Sequence, residues 1–88
     1  MSADAAAGTG VRAVVELLAK ALVDSPGDIR VTETQHEQVT LIELYVPQRD
    51  MARVLGRSGR TAAALRTLAA TAGERDGKQV TLEIRESR

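Results

Sequence analysis

The sequence lacks cysteine altogether and has a single histidine, His36. Disulfide bonds and thiolate metal sites are therefore excluded, and no cluster of histidine and cysteine ligands is available for a metal. We interpret His36 as a solvated turn residue and Glu33, Glu37 and Glu43 as solvent-facing strand and loop residues. Because an active site needs paired groups held together and none is visible, we expect no catalytic residue, metal, cofactor or small-molecule substrate.

Long apolar runs are also absent. The most apolar stretch, residues 11 to 23, carries Arg12, Glu16 and Lys20, whereas a membrane-spanning helix needs about 20 mostly apolar residues. The first ten residues, MSADAAAGTG, have no basic region followed by an apolar core and do not resemble a secretion signal. We therefore expect a cytoplasmic protein without membrane contact.

The chain is long enough for one small domain. We place it at residues 11 to 86, after a small and polar segment at residues 1 to 10 that is expected to be disordered. Apolar residues recur at helical spacing over residues 11 to 23, and Pro26 and Gly27 end that helix.

Two strands are predicted next. Ile29 and Val31 alternate with polar residues, and residues 39 to 46 are rich in β-branched and aromatic side chains. The segment between them, residues 34 to 38, lacks an Asn-Gly type of hairpin signal, so we expect a longer connection there. Pro47 closes the second strand.

The second half of the chain predicts two helices and a third strand. Asp50 is placed to cap a short helix over residues 51 to 55, and a longer helix begins after Gly59. Residues 73 to 77 form a turn before an alternating strand at residues 80 to 85. The apolar face of the longer helix comprises Ala62, Leu65, Leu68, Ala69 and Ala72. The order α-β-β-α-α-β predicts an α+β fold, in which helices on one face of a three-stranded sheet bury Ile42, Leu44, Val46, Leu82 and Ile84.

Charge is unevenly distributed along the chain. The formal net charge is zero, which by itself argues against a nucleic-acid partner. Residues 49 to 66, however, contain five arginines and one acid, Asp50, for a local net charge of +4 that the rest of the chain offsets. This segment, the basic segment below, holds Arg49, Arg53, Arg57, Arg60 and Arg66.

Two glycines, Gly56 and Gly59, lie within the basic segment, where a helix would otherwise continue. Glycine costs about 1 kcal/mol relative to alanine inside a helix, so a turn is the better interpretation. Glycine reaches φ > 0 without strain and has no Cβ, which lets another backbone approach. The helix that follows directs free N–H groups and its positive dipole end at the same surface, which favours phosphate. Arg57 projects from the turn, and Arg53 and Arg60 flank it.

These residues resemble a known motif. Gly56-Arg57-Ser58-Gly59 between two helices matches the Gly-x-x-Gly loop of KH domains, which holds about four nucleotides by their backbone. The element order is that of the type II KH fold. The stretch DMARVLGRSGRTAAALRTL, residues 50 to 68, resembles the small bacterial single-KH proteins of the KhpA type, and the likeness covers about residues 11 to 86.

The resemblance implies a function. Single-stranded RNA would be bound by Gly56, Arg57, Ser58 and Gly59, with Arg53, Arg60 and Thr61 beside them. The bases would lie in an apolar groove, for which the nearest candidates are Val54, Leu55 and Leu65. The family also implies a homodimer, a larger KH-containing partner protein, and a role as RNA chaperone or post-transcriptional regulator. Two positions depart from the family pattern: Ala52 replaces a frequent glycine, and Ser58 replaces a frequent lysine or glutamine.

The sequence is also compatible with other interpretations. Ser58 and the neutral net charge favour a protein-interaction module with vestigial RNA binding, and a helix–turn–helix without any ligand is the plainest alternative. A nucleotide-binding P-loop is excluded, because it needs glycine at the position of Val54, lysine at that of Arg60, and a preceding strand. Tyr45 is the only aromatic residue, which excludes aromatic stacking platforms as the main mode of RNA recognition.

Overall fold

The computed structural model of the protein describes residues 10–87. The elements are α1 (Gly10–Leu22), β1 (Arg30–His36), β2 (Val39–Pro47), α2 (Met51–Leu55), α3 (Arg60–Arg75) and β3 (Gln79–Ser87). The predicted α+β class and the α-β-β-α-α-β order are confirmed. The expectation of disorder over the first ten residues lies outside the described part of the chain, except at Gly10, which begins α1.

The three strands form one mixed sheet in the order β1-β2-β3. β1 and β2 are antiparallel, with Arg30 opposite Tyr45 and His36 opposite Val39. β2 and β3 are parallel, and their pairing ends with Pro47 opposite Ser87. Pro47 is the last residue of β2, as its missing N–H requires.

The connection between β1 and β2 is shorter than the sequence predicts. The strands pair up to His36 and Val39, so that only Glu37 and Gln38 remain for the turn. Glu37 takes up the required left-handed conformation, with φ of 59°. A two-residue hairpin turn is usually marked by glycine or asparagine at such a position. The expected longer connection is wrong because Glu37 adopts this conformation without that signal.

The core lies between the helices and one face of the sheet. Both α1 and α3 contribute apolar side chains, and the buried set comprises Val11, Val15, Ala19, Ile29, Ile42, Leu44, Val46, Val54, Ala62, Leu65, Ala69 and Leu82. Two residues that the sequence predicts on the buried apolar faces are less buried than expected. Leu68 is 52% exposed, because it precedes the buried Ala69 by one residue and so points about 100° away from it around the helix. Ile84 is only half-buried, on the edge strand β3.

Helix α3 extends further than predicted, to Arg75, and includes Gly73. A Cβ on Gly73 would lie 2.3 Å from Cγ2 of Val80, so the absence of a side chain allows α3 to pack closely on β3. The carbonyl of Gly73 accepts hydrogen bonds from the N–H groups of Asp76 and Lys78, each at 2.9 Å. The predicted turn at residues 73 to 77 therefore begins too early, because residues 73 to 75 still belong to the helix.

Candidate nucleic-acid interface

The turn between α2 and α3 is built from unusual backbone conformations. Gly56, Ser58 and Gly59 all have positive φ, at 75°, 57° and 73°. The N–H of Gly56 donates to the carbonyl of Ala52 at 2.9 Å, and that of Gly59 donates to the carbonyl of Gly56 at 3.1 Å. Ser58 adopts the left-handed region without being glycine, which is uncommon and costs energy. Helix α3 begins immediately afterwards, at Arg60.

The two glycines of the turn differ in what they face. A Cβ on Gly56 would lie 2.1 Å from Oγ1 and 2.9 Å from the backbone nitrogen of Thr61, so the site has no room for a side chain. A Cβ on Gly59 would meet no atom within 4 Å. Gly56 is therefore required for internal packing, and only Gly59 leaves the outer surface of the turn without a Cβ.

Asp50 occupies the predicted cap position before α2, but its side chain makes no capping hydrogen bond. The residue is buried, and its Oδ1 accepts a hydrogen bond from the N–H of Asp24 at 3.4 Å. Its Oδ2 is buried without a hydrogen-bond partner among the described residues. The capping role expected from the sequence is therefore wrong, and the carboxylate instead fastens the chain after α1 to the start of α2.

Arg57 and Arg60 are exposed, and neither forms an ion pair with any residue in the range 10–87. They lie on either side of Ser58 and Gly59 at the start of α3, where the N–H of Arg60 donates to the carbonyl of Arg57. Cationic side chains and a helix N-terminus thus face solvent together, an arrangement that favours an anion.

The other three arginines of the basic segment are engaged within the protein. Nη2 of Arg53 lies 3.1 Å from Oδ2 of Asp24. Arg49 forms an ion pair with Asp28. Nε of Arg66 donates to the carbonyl of Leu82 at 3.4 Å, so this guanidinium reaches the edge strand β3 instead of the turn. Counting charges along the sequence missed these pairings, because their partners are at least 16 residues away.

The predicted groove residues divide by burial. Val54 and Leu65 belong to the buried core, and Leu65 also lines an apolar groove between α1 and α3. Leu55 is 36% exposed and is the most exposed of the three. Thr61 is half-buried against Gly56. Tyr45 is remote from this surface, since it lies between the buried Leu44 and Val46 and therefore points to the opposite face of the sheet.

An apolar groove between α1 and α3 is a feature that the sequence did not reveal. It encloses about 220 Å³ and is lined by Leu18, Ala21, Leu22, Thr61, Ala64, Leu65 and Leu68. Of the residues at helical spacing in α1, Val14 is 45% exposed and does not line the groove, whereas Leu18 and Leu22 do. Helical spacing alone does not show which apolar residues of α1 are buried and which line a surface groove.

The part of the chain that the structure describes contains neither a candidate membrane span nor a candidate metal-binding cluster. None of the helices between residues 10 and 87 combines the length and apolar character needed to cross a membrane. The same residues contain no group of three or more histidine, cysteine, aspartate or glutamate side chains placed to hold a metal ion.

Comparison with known proteins identifies the family. The model of the KhpA/KhpB KH domain matches residues 12–84. The chain belongs to this family. Curated relatives from this KH family, each named RNA-binding protein KhpA, include one from Aquifex aeolicus, 44% identical over 78 residues and covering 89% of this chain and 99% of that protein. Another, from Clostridium perfringens, is 40% identical over 74 residues, or 84% of this chain and 99% of its own.

A solved structure shares the KH fold at much lower sequence similarity. The crystal structure of Aquifex aeolicus Era bound to GDP·AlF4⁻ superposes with a TM-score of 0.61 at 19% identity. The match covers 86% of this chain and 29% of that one. At this identity the likeness concerns the fold alone.

Proposed function

We propose that this protein binds single-stranded RNA through the turn of Gly56, Arg57, Ser58 and Gly59, and that it does so without catalysis, in the cytoplasm. The observation that carries the proposal is that Arg57 and Arg60, beside the start of a 16-residue helix, are exposed and form no ion pair with any of residues 10–87. The relatives that match most of the chain are named RNA-binding proteins.

The geometry of the turn supports contact with a sugar-phosphate backbone. Gly59 faces open space, so a ribose or phosphate can approach the main chain there. The N–H of Arg60 already donates to the carbonyl of Arg57. The N–H groups that follow it in the first turn of α3 have no partner within the helix and can donate to a phosphate oxygen. Arg57 and Arg60 add charge-assisted hydrogen bonds, which are about twice as strong as neutral ones. Leu55 offers an exposed apolar side chain for a base.

Affinity and oligomeric state are linked in this proposal. Each phosphate contact on a single strand contributes about −0.7 to the slope of log affinity against log salt, and a turn with few contacts binds weakly. Joining two copies raises the overall affinity without new contacts. We propose a homodimer that uses the apolar groove between α1 and α3, whose rim includes the exposed Leu68. Pairing with a larger KH-containing protein, and action as an RNA chaperone or post-transcriptional regulator, rest on the family resemblance.

A protein-interaction module is the second candidate function. Its support is that Arg49 and Arg53 are neutralised by carboxylates of the same chain, and that Ser58 adds no charge to the turn. The apolar groove would then be the main functional surface, and the turn would serve only to connect two helices.

One experiment separates these functions. Replacing Arg57 and Ser58 by aspartate reverses the charge of the turn, and circular dichroism establishes that the fold is retained. Binding to labelled single-stranded RNA is measured by fluorescence anisotropy, and we expect it to be lost. The control changes Thr71 and Arg75 to aspartate, which alters net charge equally at the exposed far end of α3. Equal binding by the turn variant and the wild type would contradict the proposed RNA function.

A further inference from the structure

The loop between α1 and β1 lies against the basic segment. We call residues 24 to 28 the acidic loop, because it carries Asp24 and Asp28. A short 3-10 turn shapes it, with the N–H of Asp28 donating to the carbonyl of Ser25 at 3.0 Å. The N–H of Asp24 donates to the buried carboxylate of Asp50, which fixes the first residue of the loop beside α2.

Both carboxylates of the acidic loop are paired with arginines of the basic segment. Asp24 pairs with Arg53 at 3.1 Å, and Asp28 pairs with Arg49, whose Nε also donates to Oγ of Ser25 at 3.3 Å. Arg53 precedes Gly56 by three residues and is therefore one helical turn from the Gly-x-x-Gly turn. It is the nearest arginine on the α2 side, and its charge is already compensated.

A carboxylate and a phosphate use the same donors of a guanidinium. Arginine binds both through its planar fork of N–H groups, so one anion must leave before the other can take its full place. RNA that extends from the turn along α2 meets an Arg53 whose guanidinium is already paired with the carboxylate of Asp24. Beyond it, Arg49 is occupied by Asp28 in the same way.

We propose that Asp24 is a positioning residue that limits the RNA contact to Arg57 and Arg60 by holding Arg53 in an ion pair. The inference rests on the proposed RNA-binding function of the turn. The Arg53 and Asp24 side chains are 55% and 71% exposed. Displacing Asp24 from so exposed a pair changes the equilibrium by a factor of about two to five. Asp24 therefore tunes affinity and the number of phosphates contacted, and does not block binding.

The test compares Asp24→Asn with the wild type, using a short labelled single-stranded RNA and a series of salt concentrations. We expect affinity to rise by about two- to fivefold, the size of the effect of an exposed ion pair. The slope of log affinity against log salt should become steeper by about 0.7, the contribution of one more phosphate contact. The substitution leaves the hydrogen bond from the backbone N–H of Asp24 in place.

Two further variants separate this effect from a change in net charge. Asp76→Asn makes the same charge change beyond the end of α3, about 24 Å along the helix axis from the turn and well outside the screening length of about 10 Å at 0.1 M salt. It should leave affinity and slope unchanged. Arg53→Gln should weaken wild-type binding less than Arg57→Gln does, and should abolish the gain from Asp24→Asn.

These measurements distinguish a failure of the role of Asp24 from a failure of the proposed RNA-binding function. Equal gains in Asp24→Asn and Asp76→Asn, or a gain that persists with Arg53→Gln, would overturn the role of Asp24 while RNA binding by the turn stands. If neither the wild type nor Asp24→Asn binds RNA in a salt-dependent way, the proposed function fails, and the inference fails with it.

Discussion

Gly56 lies so close to Thr61 that a Cβ at position 56 would be 2.1 Å from the hydroxyl oxygen of Thr61. The contact joins the end of α2 to the first turn of α3, and the backbone of Gly56, at φ 75° and ψ 174°, is in a region that is essentially restricted to glycine. Packing and backbone conformation thus impose the same residue, whether or not a ligand is bound.

Gly56→Ala should therefore destabilise the protein severely. Backbone strain of about 1–3 kcal/mol adds to an overpacking cost of about 1–3 kcal/mol. The measurement is urea unfolding followed by far-ultraviolet circular dichroism. Gly59→Ala serves as the comparison, because its Cβ meets open space and only the left-handed backbone costs about 1–2 kcal/mol. Equal unfolding free energies for the two variants would contradict the packing role of Gly56.

Gly59→Ala should weaken RNA binding beyond its effect on stability, because its Cβ points to the outer surface where the sugar-phosphate backbone is proposed to lie. Gly77 offers a matched control: it has φ of 70°, and a Cβ there also meets nothing within 4 Å. Both alanine variants should lose a similar amount of stability. Only Gly59→Ala should bind labelled RNA more weakly, and a similar loss in Gly77→Ala would show that stability alone determines binding.

The turn could be predicted from the sequence because its determinants are local. Gly56 and Gly59 stand in an alanine-rich helical stretch, and the arginines beside them are visible by counting. The hairpin was mispredicted because Glu37 adopts a positive φ that its residue type does not signal. The exposure of Leu68 was missed because helical periodicity does not show which of two adjacent apolar residues, Leu68 or Ala69, faces the sheet.

The ion pairs that engage arginines of the basic segment could not be predicted from the sequence. Arg53 and Asp24 are 29 positions apart, and only the packing of the acidic loop against α2 brings them together. The sequence placed Arg53 among the RNA-binding residues on the basis of its distance along the chain from Gly56. A net charge of +4 over residues 49 to 66 therefore overstates the positive charge available to a phosphate, because Asp24 and Asp28, which pair with two of the arginines, lie outside residues 49 to 66.

Leu68→Gln should reduce self-association without unfolding the protein. Leu68 is 52% exposed at the rim of the apolar groove, so the monomer loses little packing. Full burial of an exposed leucine contributes about 1.5–3 kcal/mol. Because Leu68 is already half covered, each copy contributes about half of that, and the two copies in a symmetric dimer together should raise the dissociation constant by about tenfold or more. Sedimentation equilibrium gives that constant. Val39→Gln, at a 41% exposed position beside the hairpin turn, is the control and should leave it unchanged. Equal dissociation constants for Leu68→Gln and the wild type would place the dimer contact elsewhere.

Asp50 provides a test of how the acidic loop is held. Asp50→Ala leaves the N–H of Asp24 without its acceptor, so we expect a loss of about 1–3 kcal/mol in the free energy of unfolding. Amide hydrogen exchange at Asp24 should accelerate, because its bond to Oδ1 is gone. Asp50→Asn keeps an acceptor oxygen at the same place and is the matched control, with exchange at Asp24 close to that of the wild type.

The same variant also bears on RNA binding. If Asp50 holds Asp24 where it can pair with Arg53, then releasing the loop frees Arg53. Asp50→Ala, where it remains folded, should then bind labelled RNA more tightly than Asp50→Asn does, by a factor of about two to five, as expected for release of one exposed ion pair. Faster exchange at Asp24 with unchanged affinity would mean that Asp24 stays on Arg53 without the help of Asp50, and that the two carboxylates act independently.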